Sequence, residues 1–208
     1  MSFFQDEELV LLTGKDGAEV IYKEAFLSDL EHNNYFERIN SEVDWGERIT
    51  GSMFGKEYIM PRDTAWYGEP ETSYVYSGII NEPLPWTQTL LELKQRVEEF
   101  SECEFNSLLI NRYEIGKDKV GWHADDEPEL GPNPIIASVS LGGTRDFQLR
   151  PKDKNKKTIT IPLIGGSLLL MRPPTQRFWE HQIPPRSQID SPRLNLTFRL
   201  TNKKESFL

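Results

Sequence analysis

From Arg193 to Leu200 the chain alternates polar and apolar residues without a break: Arg-Leu-Asn-Leu-Thr-Phe-Arg-Leu. A strand sends successive side chains to opposite faces. Leu194, Leu196, Phe198 and Leu200 therefore form one face, and Arg193, Asn195, Thr197 and Arg199 the other. The apolar face predicts core packing. The polar face has two open readings: a side turned to water, or a ledge of donors suited to a carboxylate. Short runs of the same kind, separated by turn residues, fill the chain from Phe105 onward. They predict strands at 105–113, 120–123, 135–141, 146–150, 158–163, 167–171, 178–183 and 193–200. No helical period intervenes, so the pattern favours a sandwich or jelly roll over a parallel sheet with crossover helices.

The first hundred residues read differently. Strands are predicted at 9–13 and 19–22, around a turn at Lys15-Asp16-Gly17. Ser28 and Glu31 have capping-box spacing and open a helix to about Ser41. Residues 48–61 read as extended with bends at Gly51 and Gly55, and 74–80 as a strand. Pro85 opens a second helix, in which Trp86, Leu90, Leu93, Val97 and Phe100 recur at helical spacing. The fold class is therefore α+β, mainly β: a jelly-roll (double-stranded β-helix) core from 105 to 204, with an N-terminal extension of helices and strands at 1–104. Together they read as one domain over 1–208.

Composition narrows the setting. A chain of 208 residues suffices for one well-buried core. The single cysteine, Cys103, cannot form an internal disulfide, which points to a reducing compartment. No stretch reaches the ~20 apolar residues of a membrane span, and the acidic N-terminus lacks the basic start of a secretory signal. The expectation is a soluble intracellular protein without a membrane partner, cytoplasmic if bacterial and nuclear if eukaryotic. Net charge is −9 but unevenly spread: residues 1–142 carry 11 Lys/Arg against 28 Asp/Glu, and residues 143–208 carry 13 against 5. The basic part includes Arg150, Lys152, Lys154, Lys156 and Lys157, either a solvated turn or a patch for phosphates.

Candidate chemistry rests on few residues. Of three histidines, His32 reads as a surface residue of the first helix. His123-Ala124-Asp125 puts an imidazole and a carboxylate on one side of an extended segment, and His181 follows in a later strand. Two histidines and one carboxylate form the facial set that leaves three positions open on Fe(II). Such a site carries a formal +1 charge and accepts a dianion. 2-Oxoglutarate binds iron at one end, and its far carboxylate needs a cation, so the arginine strand gains a candidate ligand. Arg193 and Arg199 have Cα atoms ~20 Å apart on a strand, which gives them separate tasks. Asn111 and Tyr113, on one strand face, add an amide and a phenol.

The segments Asn111-Arg112-Tyr113, His123-x-Asp125, Ile136 to Gly142, Gly166-Ser167-Leu168-Leu169, His181 and Arg193-x-Asn195-x-Thr197-x-Arg199 occur in the order of the AlkB family. The chain resembles that family over about residues 50–202, most closely its DNA-repair branch of Fe(II)/2-oxoglutarate-dependent dioxygenases. The resemblance implies that His123, Asp125 and His181 ligate iron. It assigns the far end of 2-oxoglutarate to Asn111, Tyr113 and Arg193, and the rest of that pocket to Asn195, Thr197 and Arg199. O2 is the remaining co-substrate. The implied activity is oxidative demethylation of N-alkylated bases such as 1-methyladenine and 3-methylcytosine in DNA, or in RNA, with release of succinate, CO2 and formaldehyde.

A base buried in a duplex must be flipped out to reach such a site. By resemblance Glu127 would contact a cationic base, with Asp126 pointing away. Tyr74 would stack on the base, Tyr76 and Ser77 would line its pocket, and Phe54 in Met53-Phe54-Gly55-Lys56 would wedge into the stack. Residues 1–104 then act as a nucleotide-recognition lid on a monomer. Two other readings stand: an oxygenase acting on a protein or small molecule, and a binding module whose metal site is structural.

Overall fold

The structure, a computed structural model, describes residues 8–12, 17–45, 50–53, 56–59, 62–72, 74–76, 79–153, 157–186, 188 and 191–202. In chain order the first half holds β1 (Glu8–Leu12), β2 (Glu19–Lys23), α1 (Asp29–Glu42), β3 (Thr50–Met53), β4 (Lys56–Ile59), β5 (Asp63–Gly68), β6 (Tyr74–Tyr76), β7 (Ile79–Asn81) and α2 (Gln88–Ser101). The second holds β8 (Ser107–Tyr113), β9 (Val120–His123), β10 (Ile136–Gly142), β11 (Arg145–Pro151), β12 (Ile159–Leu163), β13 (Leu168–Arg172), α3 (Thr175–Phe178), β14 (Trp179–Ile183) and β15 (Arg193–Arg199).

Two antiparallel sheets pack face to face as a double-stranded β-helix. The larger runs β1-β2-β13-β10-β15-β8-β5, and the smaller runs β12-β11-β14-β9. The alternation of β15 explains why one sheet can serve two layers. Leu194, Leu196 and Phe198 join Leu108, Ile110, Ala137, Val139, Leu168 and Leu170 in a core covered by Ile39 of α1 and by Leu90, Leu93 and Val97 of α2. Each Leu, Ile, Val or Phe among them contributes about 1.5–3 kcal/mol by leaving water. The opposite face of the same strands meets Phe147, Leu149, Ile161, Trp179 and Ile183 of the smaller sheet.

Register carries the polar ledge across the larger sheet. Asn195 lies opposite Asn111 on one side and Ser140 on the other, while Thr197 lies opposite Leu109 and Ser138. Helix α1 starts as its capping box predicts: Ser28 accepts from the Glu31 amide, and Glu31 returns the bond to the Ser28 amide. Helix α2 begins at Gln88 with Thr87 as its N-cap, three residues beyond Pro85, because the Thr87 hydroxyl takes the Leu90 amide that a proline start leaves open.

Further expectations are refined or corrected. Where one strand was expected over 74–80, β6 and β7 pair with each other as two antiparallel strands, and within the segment read as extended β3 pairs antiparallel with β4. Strand β5 was not apparent from the sequence, where its Asp63-Thr64 start and Gly68 end look like turn residues; it pairs with β8 at the sheet edge. A short helix, α3, does intervene before β14. Leu200 lies beyond the end of β15 and is exposed, outside the apolar face it was expected to extend. Among the described residues no helix is long and apolar enough to cross a membrane.

Candidate active site

The face of β15 that carries Arg193, Asn195, Thr197 and Arg199 points between the sheets, and three of these four are buried. The water-facing reading of that side is therefore wrong. The cavity it borders is also lined by Asn111, Tyr113, His123, Asp125, Phe147 and His181.

Strands β9 and β14 bring the histidines together, because His181 pairs in register with His123. Their rings lie 4.2 Å apart, and one ligand atom from each of His123, Asp125 and His181 lies within 4.8 Å of the others. Each is oriented by a neighbour. His123 Nδ1 sits 2.8 Å from the Gly121 carbonyl; the tautomer with its proton on Nδ1 donates there and leaves Nε2 available to a cation. The Asp125 amide donates to Gln176 Oε1 at 3.0 Å, and Arg199 Nη2 donates to Asp125 Oδ1. The His181 ring stacks on Phe147 with centroids 5.1 Å apart.

Electrostatics prepare this set for a cation. Burial disfavours the charge on Asp125, but Arg199 and the two imidazoles outweigh it and hold the carboxyl below the usual carboxylate range. Burial, reinforced by His123, pushes the His181 imidazole down to about 3, so it is neutral at pH 7. An ionised Asp125 and a neutral His181 are protonation states that metal ligation requires of a carboxylate and an imidazole.

The other end of the ledge is built around Arg193. Its Nη2 donates to Asn195 Oδ1 at 2.7 Å and to Ser140 Oγ at 2.9 Å, so the side chain runs back along β15 toward the metal end. Ser138 Oγ also donates to Asn195 Oδ1, and Asn195 Nδ2 donates to Thr197 Oγ1. Arg193 Nε and Nη1 and Arg199 Nε are buried without a hydrogen-bond partner among the described residues. A buried donor left unpaired is costly, so these atoms face a place where an acceptor belongs. They fit a dianion that spans from the metal end to Arg193.

The expected base-contacting residues are less completely placed. Glu127 is half-buried before a 3-10 turn and does not line the cavity. Asp126 does turn away, to Lys152 Nζ at 2.9 Å. Tyr74 and Tyr76 lie on β6, but their side chains fall outside the described residues, as do Phe54 and Ser77 altogether. Of the basic tract, Arg150 is held by Glu180 at 2.6 Å and lies 3.9 Å over the Trp122 ring, while 154–156 are outside the described residues. His32 is not a free surface residue, since its Nε2 accepts the Gly142 amide at 2.7 Å.

Other cavity residues escaped sequence reasoning. Arg62 donates to Asn111 Oδ1 at 2.6 Å, and Phe147, Ser138 and Met171 line the wall. Alternation offered a signal for some of them. Phe147 shares one face of β11 with Arg145 and Leu149, as Ser138 shares one face of β10 with Ile136 and Ser140. Arg62 had none, because it precedes the strand that the sequence concealed.

A double-stranded β-helix with two imidazoles, one carboxylate and an arginine-bearing strand is the architecture of an iron- and 2-oxoglutarate-dependent oxygenase. The model of the 2OG-Fe(II) oxygenase superfamily matches residues 19–199. Alpha-ketoglutarate-dependent dioxygenase alkB homolog 3 of Bos taurus is 45% identical over 183 residues, which span 84% of this chain and 63% of that protein. DNA oxidative demethylase ALKBH2 of Homo sapiens is 40% identical over 178 residues, covering 81% and 68%. The solved structure of OsALKBH1 shares the fold, with a TM-score of 0.65 at 17% identity over 93% of this chain and 100% of that one. The chain belongs to the AlkB family of the 2OG-Fe(II) oxygenase superfamily. It spans less than two thirds of the alkB homolog 3 relatives it matches.

Proposed function

We propose that this protein oxidatively demethylates N-alkylated bases in nucleic acid, with Fe(II), 2-oxoglutarate and O2. The observation that supports it most is the His123–Asp125–His181 cluster, with Arg199 on its carboxylate and Arg193 at the far end of the same strand. The 40% identity to a protein named DNA oxidative demethylase supports the nucleic-acid substrate. Iron, when bound, supplies the activation of O2 that is coupled to conversion of 2-oxoglutarate to succinate and CO2. Oxidation of an N-methyl carbon then leaves a hydroxymethyl group that departs as formaldehyde.

The chain's own task is positioning and exclusion. His123 Nε2 and His181 Nε2 are the proposed imidazole donors. Asp125 is the anionic ligand, kept ionised and aimed by Arg199. Asn111, Tyr113, Asn195 and Thr197 offer hydrogen bonds along the co-substrate, and Arg193 offers its far carboxylate a cation. Phe147, Val120, Met171 and Ile183 wall the cavity with apolar surface and limit water. Residues 105–204 would thus form the catalytic core and 1–104 the lid over the base. Tyr74, Tyr76, Ser77 and Phe54 are proposed to hold and extrude the base, and Glu127 to face its positive charge. The same reading takes the protein as a monomer in the compartment of its substrate, the cytoplasm of a bacterium or the nucleus of a eukaryote.

The test is formaldehyde release from 1-methyladenine, 3-methylcytosine and ethenoadenine oligonucleotides, single- and double-stranded, DNA and RNA. Release from the methylated strands is expected, and Glu127→Ala should suffer more on the cationic lesions than on neutral ethenoadenine. Succinate formation without demethylation of any strand would transfer the assignment to a protein or small-molecule substrate. Equal losses on all lesions would remove Glu127 from charge recognition.

A further inference from the structure

Arg145 opens β11 on the same inner face as Phe147, and it is 1% exposed. Its Nη2 donates to the Asp118 carbonyl at 2.6 Å and the Pro184 carbonyl at 2.9 Å, and these bonds fix the guanidinium in place. Its Nε and Nη1 have no hydrogen-bond partner among the described residues. Arg193, 0% exposed, is in the same condition at its own Nε and Nη1. Both cations stand against one ring: the Arg145 guanidinium lies 5.3 Å and that of Arg193 5.2 Å from the Tyr113 centroid.

This pairing is unusual within the molecule. The partly buried arginines Arg96, Arg112 and Arg150 each meet a carboxylate, as buried Arg199 does. Among the described residues, no carboxylate lies within ion-pair distance of Arg145 or Arg193. Asp118 and Asp146 attract Arg145 only from further off, and Arg186 and Arg193 repel it. Burying two like charges without a counterion is strongly unfavourable. The Tyr113 ring face offsets a fraction of that cost. An anion between them offsets the rest, and it would receive donors from both forks.

We propose that Arg145 is a second cation for the far carboxylate of 2-oxoglutarate, so that this end of the site is a socket of two guanidiniums beside Tyr113. The proposal rests on the reading of 2-oxoglutarate as co-substrate. Arg193 approaches the socket from β15 and Arg145 from β11, so the two sheets each supply one fork. Because Arg145 also ties the Asp118 and Pro184 carbonyls together, the socket is set before the ligand arrives. A 2-oxo acid that lacks the far carboxylate would leave both cations uncompensated.

The test compares 2-oxoglutarate with 2-oxobutyrate, which keeps the metal-binding end and lacks the second carboxylate. Binding is measured by calorimetry on Zn(II)-loaded protein, where no turnover occurs. Arg145→Gln should weaken 2-oxoglutarate about tenfold or more, the size expected for loss of a charged hydrogen bond, and leave 2-oxobutyrate unchanged. Unchanged 2-oxoglutarate affinity, or equal weakening of both ligands, would make Arg145 a tether only and overturn the proposal. Failure of the wild-type protein to bind 2-oxoglutarate at all would instead overturn the co-substrate reading. Arg145→Lys, which keeps the charge, should show a smaller loss than Arg145→Gln, and an equal loss in the two variants counts against the proposal. In wild-type protein carrying nitrogen-15 arginine, 2-oxoglutarate should shift two buried Nε resonances that 2-oxobutyrate leaves in place. A shift of one alone would refute the second cation.

Discussion

The bond between Arg199 and Asp125 should be worth far more to the metal-free protein than a surface ion pair. Both side chains are nearly inaccessible, at 8% and 3%, and His181 Nε2 stands 3.6 Å from the other oxygen of the same carboxylate. Removing one partner strands the other charge in a dry interior, which typically costs about 3–5 kcal/mol. Arg199→Met keeps most of the stem volume and leaves Asp125 bare; Asp125→Asn keeps the shape and leaves Arg199 without its anion. At about 2–4 °C per kcal/mol for a chain of this size, a loss near 3 kcal/mol lowers the melting midpoint by roughly 6–12 °C. The double variant removes both charges and should recover most of that loss, since an uncharged pair of similar shape is often close to neutral. The assay is urea unfolding of all four proteins in chelator, so that metal binding does not mask the difference. The cycle yields a coupling energy directly. Single variants within about 1 kcal/mol of wild type, or a double variant equal to the sum of the singles, would show that Arg199 does not hold Asp125 in the way described.

Two further outcomes follow from the same packing. Burial lowers the His32 pKa against an opposing pull from Asp29, so the neutral ring that accepts the Gly142 amide adds stability above its unfolded value, near pH 6.5, and loses it as pH falls toward the lower folded value; His32→Gln should flatten the fall in melting temperature from pH 7 to 5, and an unchanged slope would refute the linkage. Phe147→Ala removes a 5% exposed ring that stacks on His181, and should cost about 3–5 kcal/mol of stability while weakening Zn(II) binding; full Zn(II) affinity in a destabilised variant would separate the stacking from the metal site.

How far the sequence could be read depends on the reach of each cue. Period-2 alternation is local, and in β15 it assigned every side chain from Arg193 to Arg199 to the correct face. It could not say that both faces are buried, because that depends on α1 and α2 covering one side and the smaller sheet the other. His123 and His181 lie 58 residues apart in the chain and face each other only through the pairing of β9 with β14, which no local pattern encodes. His-x-Asp spacing and resemblance supplied what locality could not. Arg145 fell between these cues: it lies outside the segments that carry the resemblance and just before the strand predicted at 146–150. Its significance is visible only when Tyr113 from a third strand is found against both it and Arg193. Asn195 shows the same division of labour in reverse. Its polar type is readable from the strand pattern, but its bonds join β10, β15 and Arg193 into one donor network. The strand therefore encodes which groups face inward, and the sheet pairings decide what they can hold. An interior with this many inward donors and one inward carboxylate gains stability from any anion that binds it, because the unpaired donors then find an acceptor.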